Sequence, residues 1–440
     1  MTYAIVDGYS GGRYLGERLS ARGADCVHVH SSPEVSPVLS RSFRPQGFTR
    51  DLGYVTDLGT VARALAELGV QHVVPGAESG VESAEWLGHA LGLPTNGDRP
   101  SRVRRDKSLA AQALRQAGLA VPRGARVRTP AEAVAWVAAE GDGPFVVKPL
   151  DSCASDQVFF CVSAGEVAAA VENVIGARTI CGDTNRAALV QARLFGTEYY
   201  LNTVSVDGRH RVVETWRYTK LAGPGGAPLY DYEEPVDHSH GEAAELHDYV
   251  RRALTALGVR NGAAHTEVML TERGPVLLDC GARLCGACLP EVIEAEVGFS
   301  QLSVLVETLL RPEALADFDE SSWAWPHAFR NVFLINDRAG VAGDLEIEAE
   351  LRELPWFVDM VLMITPGLRA PATADLFSSP GYVYLSAPTR EELERDYLRI
   401  RALERGAPYV RSPLRPRPRG TGATGLEPAT PGFGDRCSAS

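Results

Sequence analysis

The sequence is short of lysine, of patterned cysteine and of long apolar stretches, and each shortage excludes a class of protein. No apolar run reaches the roughly eighteen residues a membrane helix needs, so a membrane span is not expected. The N-terminus, Met1-Thr2-Tyr3-Ala4-Ile5-Val6-Asp7-Gly8, lacks a basic region, a long apolar core and a cleavage site. It reads as a first β-strand with no secretion signal, and a cytoplasmic location is expected. The eight cysteines follow no disulfide-scaffold spacing, which suits a reducing compartment. Cys280, Cys285 and Cys288 give C-x4-C-x2-C, the start of an iron–sulfur spacing, but a fourth thiolate is wanting. The only cysteine downstream is Cys437, in a tail rich in Pro, Arg and Gly from Arg411 onward that is expected to be disordered. The three are therefore read as small buried hydrophobes. A net charge of −12 leaves no general affinity for nucleic acid. No internal repeat is visible. The first glycine loop, with Gly8, Gly11 and Gly12, has no complete G-x-G-x-x-G and reads as a strand–helix turn, not a dinucleotide site.

What is present is globular. With 440 residues, 45% apolar and 23% charged, the chain has material for about three domains. Residues 1–100 alternate strand-like and helix-like runs, such as Val61–Leu68 before Gly69 and then His72–Pro75, which predicts a parallel, doubly wound α/β sheet. Asp106 is placed to cap a helix that ends at Gly118. Phe145-Val146-Val147-Lys148, a loop of small polar residues from Asp151 to Ser155, and Val158–Cys161 make a strand–loop–strand unit. Glu198–Val206 and Arg211–Trp216 read as a hairpin about Asp207-Gly208. Beyond about residue 312 the texture changes to short strands among acidic helix, closing with a helix opened by Thr389 and Glu392.

The most informative segment is the hairpin His265–Asp279. Folded about Arg273, it sets Glu267 opposite Asp279, with Cβ atoms about 4.5–5.5 Å apart. Two like charges so placed repel, and a hard cation resolves the conflict, since Mg²⁺ favours carboxylate and phosphate oxygens. Strand parity adds His265 to the same face and Arg283 to that of Asp279, while Val268, Leu270, Leu277 and Leu278 serve a core face. Two carboxylates alone also suit an exposed hairpin with paired surface charges. The lysines tip the balance. Lys107 opens a helix, and Lys148 ends an apolar strand before the small polar loop, so its ammonium must meet water or an anion.

Taken in order, these pieces resemble the ATP-grasp superfamily, particularly its amino-acid (dipeptide) ligase branch, over residues 1–410. The resemblance implies an N-terminal Rossmann-like domain (1–100), an ATP-grasp domain of two subdomains (101–312), a small C-terminal α+β domain (313–410) and the tail (411–440). It implies an ATP- and Mg²⁺-dependent enzyme, Mn²⁺ being an option, that joins a small-molecule carboxylate to an amine through an acyl phosphate. On this likeness Lys107, Lys148 and the loop residues Ser152 and Ser155 bind phosphates, Gln191 replaces the usual acid near adenine, and Glu198 binds ribose. Glu267 and Asp279 hold metal, Arg283 steadies the reacting centre, and His265 is the candidate proton acceptor. The usual E-x-N-x-R stands here as Asp279-Cys280-Gly281-Ala282-Arg283, which leaves the number of metal ions open. Tyr230, Asp231, Tyr232, His238, His240 and Glu78 are expected near substrate. A bicarbonate-activating carboxylase and a catalytically silent ATP-binding regulator are the alternatives. A homodimer is one option for assembly, on which the sequence is silent.

Overall fold

A computed structural model describes residues 1–410 apart from 36, 98–100, 153–155, 180–183, 224–227, 322 and 407–408. Ser155 and the tail from residue 411 thus lie outside the described residues, as does Cys153.

Three sheets carry the architecture. Strands β1 (Thr2–Val6), β2 (Asp25–His30), β3 (Arg50–Tyr54) and β4 (Val70–Pro75) form an all-parallel sheet in the order β3-β2-β1-β4. The expected doubly wound element is there, and its strand β1 is apolar on both faces because helices cover both sides. Ala4, Val6, Val27 and Val29 pack against Val61 and Leu65 of helix Leu58–Glu67 and Leu87 of helix Val81–Ala90.

The second sheet is antiparallel, in the order β5 (Gly124–Val127), β8 (Ala188–Ala192), β6 (Phe145–Pro149), β7 (Phe159–Cys161). Helices Pro130–Glu140 and Ala164–Val174 cover one face. Their starts follow from capping, since the Thr129 and Ser163 hydroxyls accept from the Glu132 and Glu166 N–H groups.

The third sheet is larger: eight antiparallel strands in the order β13-β12-β9-β10-β11-β14-β18-β16. These are β9 (Thr197–Val206), β10 (Arg209–Ala222), β11 (Pro228–Pro235), β12 (Gly262–Thr271), β13 (Gly274–Gly281), β14 (Ala328–Phe333), β16 (Phe357–Leu362) and β18 (Gly381–Ala387). A two-stranded ribbon, β15 (Gly340–Val341) with β17 (Arg369–Ala370), lies outside it. The strands that follow residue 312 therefore continue the same sheet as the carboxylate hairpin, through the β11–β14 pairing. Helix Ala243–Ala256 lays Leu246, Val250 and Leu254 on β9, β10 and β12, and helix Lys107–Gln116 adds Ala110 and Leu114 to that core. Full burial of a leucine such as Leu114 contributes about 1.5–3 kcal/mol. The Asp106 carboxylate accepts from the Ser108 and Leu109 N–H groups, as a cap should, and holds Lys107 at the helix start.

Candidate functional site

Glu267 of β12 and Asp279 of β13 are cross-strand partners. The route to that pairing differs from a simple fold about Arg273. The turn is two residues long, Thr271 pairing with Gly274, and the register would then oppose Glu267 to Leu278. One extra residue at Leu278 shifts the ladder between Val268↔Leu277 and Glu267↔Asp279, and so restores the acid pair. The bulged Leu278 leaves the core face assigned to it by alternation. It lines a cavity instead, and its carbonyl accepts from Lys148 Nζ at 3.3 Å.

That cavity, about 300 Å³, is bounded by both acids and by all three lysines of the chain, Lys107, Lys148 and Lys220. The Lys107 ammonium donates to the Ser152 carbonyl at 2.7 Å and lies 3.0 Å from Asp279 Oδ2. Lys148 enters from β6; burial and the neighbouring Lys107 push its ammonium down to about 8. Lys220 of β10 pairs with Glu198 at 2.7 Å and sits 4.2 Å from the centre of the Tyr230 ring. Burial alone would lower Lys220, but Tyr230, Glu198 and Glu267 outweigh it and hold it charged. Sequence reading missed Lys220; its signal is scarcity, since only three of 44 basic residues are lysine. Gln191, Glu198 and Ser152 line the same cavity, although the Ser152 hydroxyl is engaged by Asp156 at 2.6 Å.

A second cavity, about 730 Å³, takes in Glu267, His265, Arg283 and Glu78. Glu267 and Tyr230 belong to both cavities, so the two meet at the carboxylate hairpin. Burial would raise the Glu267 carboxyl, but the His265 ring and then Lys220 and Lys107 keep it ionised. His265 is oriented from behind. Asn202 donates its amide N–H to Glu214 at 2.8 Å, so its oxygen faces His265 Nδ1 at 2.9 Å. Nδ1 then carries a proton, which leaves Nε2, 3.7 Å from Glu267, as the ring position that gains or loses one.

Arg283 Nε donates to Glu78 Oε2 at 3.0 Å, and its Nη1 donates to the Leu284 carbonyl at 2.8 Å. Glu78, expected at a ligand ammonium, is thus Arg283's partner; burial opposes its ionisation, and Arg283, Arg105 and Lys107 overcome that. This pair accounts for the glycine at 281. A Cβ there would lie 2.6 Å from Glu78 Oε2, so an asparagine at that position would displace the ion pair. Gly11 makes room in the same way. A Cβ there would come within 2.0 Å of the Cys285 carbonyl, so glycine lets the N-terminal loop dock on the loop after β13.

Of the residues expected near substrate, only Tyr230 and Glu78 line these cavities. β11 is bulged at Asp231, with Thr219↔Tyr232 followed by Lys220↔Tyr230. Asp231 and Tyr232 consequently face helix Arg390–Glu404, where Asp231 binds Arg401 at 2.6 Å and Tyr232 packs on Tyr397. Glu233 replaces them in the larger cavity, where burial pushes its carboxyl up to about 8. His238 packs on His247, and His240 lies beside Glu242. Cys280 is buried against the Thr266 hydroxyl, and the Cys285 and Cys288 thiols point to backbone carbonyls.

For a metal ion, Glu267 and Asp279 supply hard oxygen donors that face the lysine-lined cavity. This set suits a cation that takes one or two carboxylates and completes its shell with phosphate and water oxygens. His28, His30 and Asp51 also cluster, but Gly8 N–H and Tyr9 Oη occupy the outer ring nitrogens and both rings turn to Asp51, so hydrogen bonds already satisfy them.

No protein-family model matches the chain. It is 28% identical over 405 residues to dapdiamide A synthase of Enterobacter agglomerans, covering 91% of this chain and 95% of that protein. Among solved structures it is similar to an L-amino acid ligase from Bacillus licheniformis, with a TM-score of 0.72 and 19% identity over 91% of this chain and 97% of that one. It is also similar to a carboxyaminoimidazole ribonucleotide synthase from Aspergillus clavatus complexed with ATP, with a TM-score of 0.67 and 16% identity over 92% and 98% of the two chains. Among the described residues no helix is long and apolar enough to cross a membrane. The chain thus has the ATP-grasp fold of these solved structures, an L-amino acid ligase among them, and is similar over nearly all of its length to a synthase.

Proposed function

We propose that this enzyme activates a small-molecule carboxylate as an acyl phosphate at the expense of ATP and transfers the acyl group to an amine, releasing ADP and phosphate. The observation that carries the reading is the shared Glu267, where a three-lysine cavity meets a larger one holding His265 and Arg283. The nucleotide occupies the smaller cavity, with Gln191 toward the base, Glu198 toward the ribose, and Lys107 and Lys148 on the phosphates. Ser152 lies beside those phosphates, and Ser155 is outside the described residues. Glu267 and Asp279 would hold Mg²⁺, or Mn²⁺ in its place, which when bound neutralises phosphate charge.

The chain's own residues then do three things. Lys107 and Lys148 hold the triphosphate in line while a carboxylate oxygen of the substrate attacks the γ-phosphorus and ADP departs. Arg283, steadied by Glu78, stabilises the oxyanion as the amine attacks the acyl carbon and phosphate leaves. His265 Nε2 accepts the proton the amine loses, and the Asn202 oxygen holds the ring in the tautomer that can do so.

A screen of amino acids as acids and amines, with ATP and Mg²⁺, tests the reading by ADP release. Hydroxylamine in place of the amine should trap the acyl phosphate as a hydroxamate. ADP release that needs bicarbonate and no amine would establish a carboxylase instead, and ATP binding with no release under any pair would leave a regulator.

A pH prediction follows from Lys148. Its ammonium is the form that binds phosphate, and in the free protein it is lost above about 8. Bound phosphate raises it again, so ATP binding takes up a proton on the alkaline side. ATP affinity should therefore hold steady below that pH and fall by up to about tenfold per unit above it. Calorimetry of ATP binding from neutral to alkaline pH would measure this, and the same slope in Lys148→Met would refute the assignment.

A further inference from the structure

The larger cavity holds a cation that none of the steps above uses. Arg13 lies on the short turn Ser10–Tyr14 after β1, which Gly11 presses against the Cys285 carbonyl. Its side chain is partly buried and lines the cavity. Its partners are all neutral. Nη2 donates to the Tyr14 hydroxyl at 2.6 Å and to the Cys288 carbonyl at 3.4 Å, the guanidinium stands 4.5 Å from the centre of the Tyr14 ring, and Tyr382 lines the same cavity. Among the described residues no carboxylate comes within 4.0 Å of it, although the chain carries 56 acids and a net charge of −12.

The other charges of the cavity do not supply the missing anion. Arg283 is matched by Glu78 at 3.0 Å and Arg44 by Glu17 at 3.0 Å. Arg41 and Arg369 add positive charge. Glu267 belongs to the metal pair, and burial keeps Glu233 from ionising fully near neutral pH. A partly buried guanidinium with no counter-charge gains when an anion joins it. Two acceptors also leave part of its five N–H donors unspent. Tyr14 accepts from Arg13, so its own hydroxyl proton remains to be given, and the planar fork of arginine matches a carboxylate.

We propose that Arg13, with the Tyr14 and Tyr382 hydroxyls, binds a carboxylate that does not react, so that the enzyme requires a substrate with a free carboxylate besides the one it activates. The proposal rests on the ligase reading and names the substrate class of its second cavity. Two sources of that group share one chemistry: the amine's own carboxylate, as in an amino acid, or the second carboxylate of a dicarboxylic acid.

The test takes each acid–amine pair active in the ADP-release screen and removes one carboxylate at a time. The amino acid is replaced by its primary amide in one arm, and the dicarboxylic acid by its monocarboxylic counterpart in the other. One of the two replacements should lower kcat/KM by about 10- to 100-fold, the scale of a charge-assisted pair, and which one identifies the source. Arg13→Gln should lower kcat/KM for the carboxylate-bearing substrate by the same factor and abolish the discrimination, mainly through KM, with ATP affinity kept. Arg13→Lys should recover only part, and Tyr382→Phe, which removes one hydroxyl, should lose a few-fold. Discrimination in Arg13→Gln equal to that of the unaltered enzyme would overturn the proposal. If no pair releases ADP, the ligase reading fails, and the site is tested by thermal melting with succinate and with L-alanine. A stabilising shift that Arg13→Gln removes would support the carboxylate site, and no shift, or one unchanged in Arg13→Gln, would refute it.

Discussion

Asp279→Asn lowers ADP formation by at least ~10²-fold while the protein stays folded; this is the expected result at the acid pair. Asparagine keeps the shape of the side chain and the oxygen that accepts the Cys280 N–H at 3.0 Å. What it loses is the charge. Asp279 stands opposite Glu267 and 3.0 Å from the Lys107 ammonium, so its carboxylate would both complete the proposed cation site and set the position of the lysine proposed to bind phosphate. The stability change should be small, because two effects oppose each other. Removing one of two facing acids relieves repulsion, and losing a partly exposed ion pair costs at most about 1 kcal/mol. Steady-state ADP release across a Mg²⁺ titration, with a melting curve, separates chemistry from folding. Near-normal turnover at saturating Mg²⁺ would end the assignment of Asp279 to the metal.

Arg283→Lys should reduce kcat by about 10²–10³-fold and leave ATP binding nearly unchanged. Of the two cavities that meet at Glu267, Arg283 lines the larger, so nucleotide in the smaller one, as proposed, would not depend on it. Lysine keeps a positive charge but cannot reproduce the fork that gives one N–H to Glu78 and another to the Leu284 carbonyl. An interaction made only as charge develops at the acyl centre lowers kcat and kcat/KM together. The competing account is that Arg283 merely neutralises Glu78 and supports folding. Under it, Glu78→Gln and Arg283→Lys would lower the melting temperature alike and change turnover only through the folded fraction. A variant with normal melting, normal ATP binding by calorimetry and normal turnover would show that Arg283 takes no part in the reaction.

Much of this site was legible because its elements are local. Phe145–Lys148 is an apolar strand with a charge at its end, and Asp106 caps the helix that Lys107 opens; both are read from adjacent residues. The Glu267–Asp279 pair is a hairpin relation and was found, though through the wrong turn, because alternation cannot reveal the bulge at Leu278. The bulge at Asp231 had the opposite effect. It exchanged Tyr232 for Glu233 in the cavity and sent Asp231 to Arg401. Lys220 escaped notice because nothing around it in β10 marks a site; its partners Glu198 and Tyr230 come from neighbouring strands.

The sequence by itself determined the strand–helix alternation of the first hundred residues, the capped helices, the carboxylate hairpin and the order of charged residues along the chain. Each rests on periodicity, capping or turn chemistry within a few residues. Tertiary structure alone decided that the three lysines share one cavity, that Glu78 reaches Arg283 across 205 positions and leaves room only for glycine at 281, and that Arg13 enters the second cavity without an acidic partner among the described residues. Those outcomes depend on how separate sheets pack and where single-residue bulges turn a strand's faces over. Such choices are set by the free energy of burying whole surfaces, which no short stretch of sequence contains.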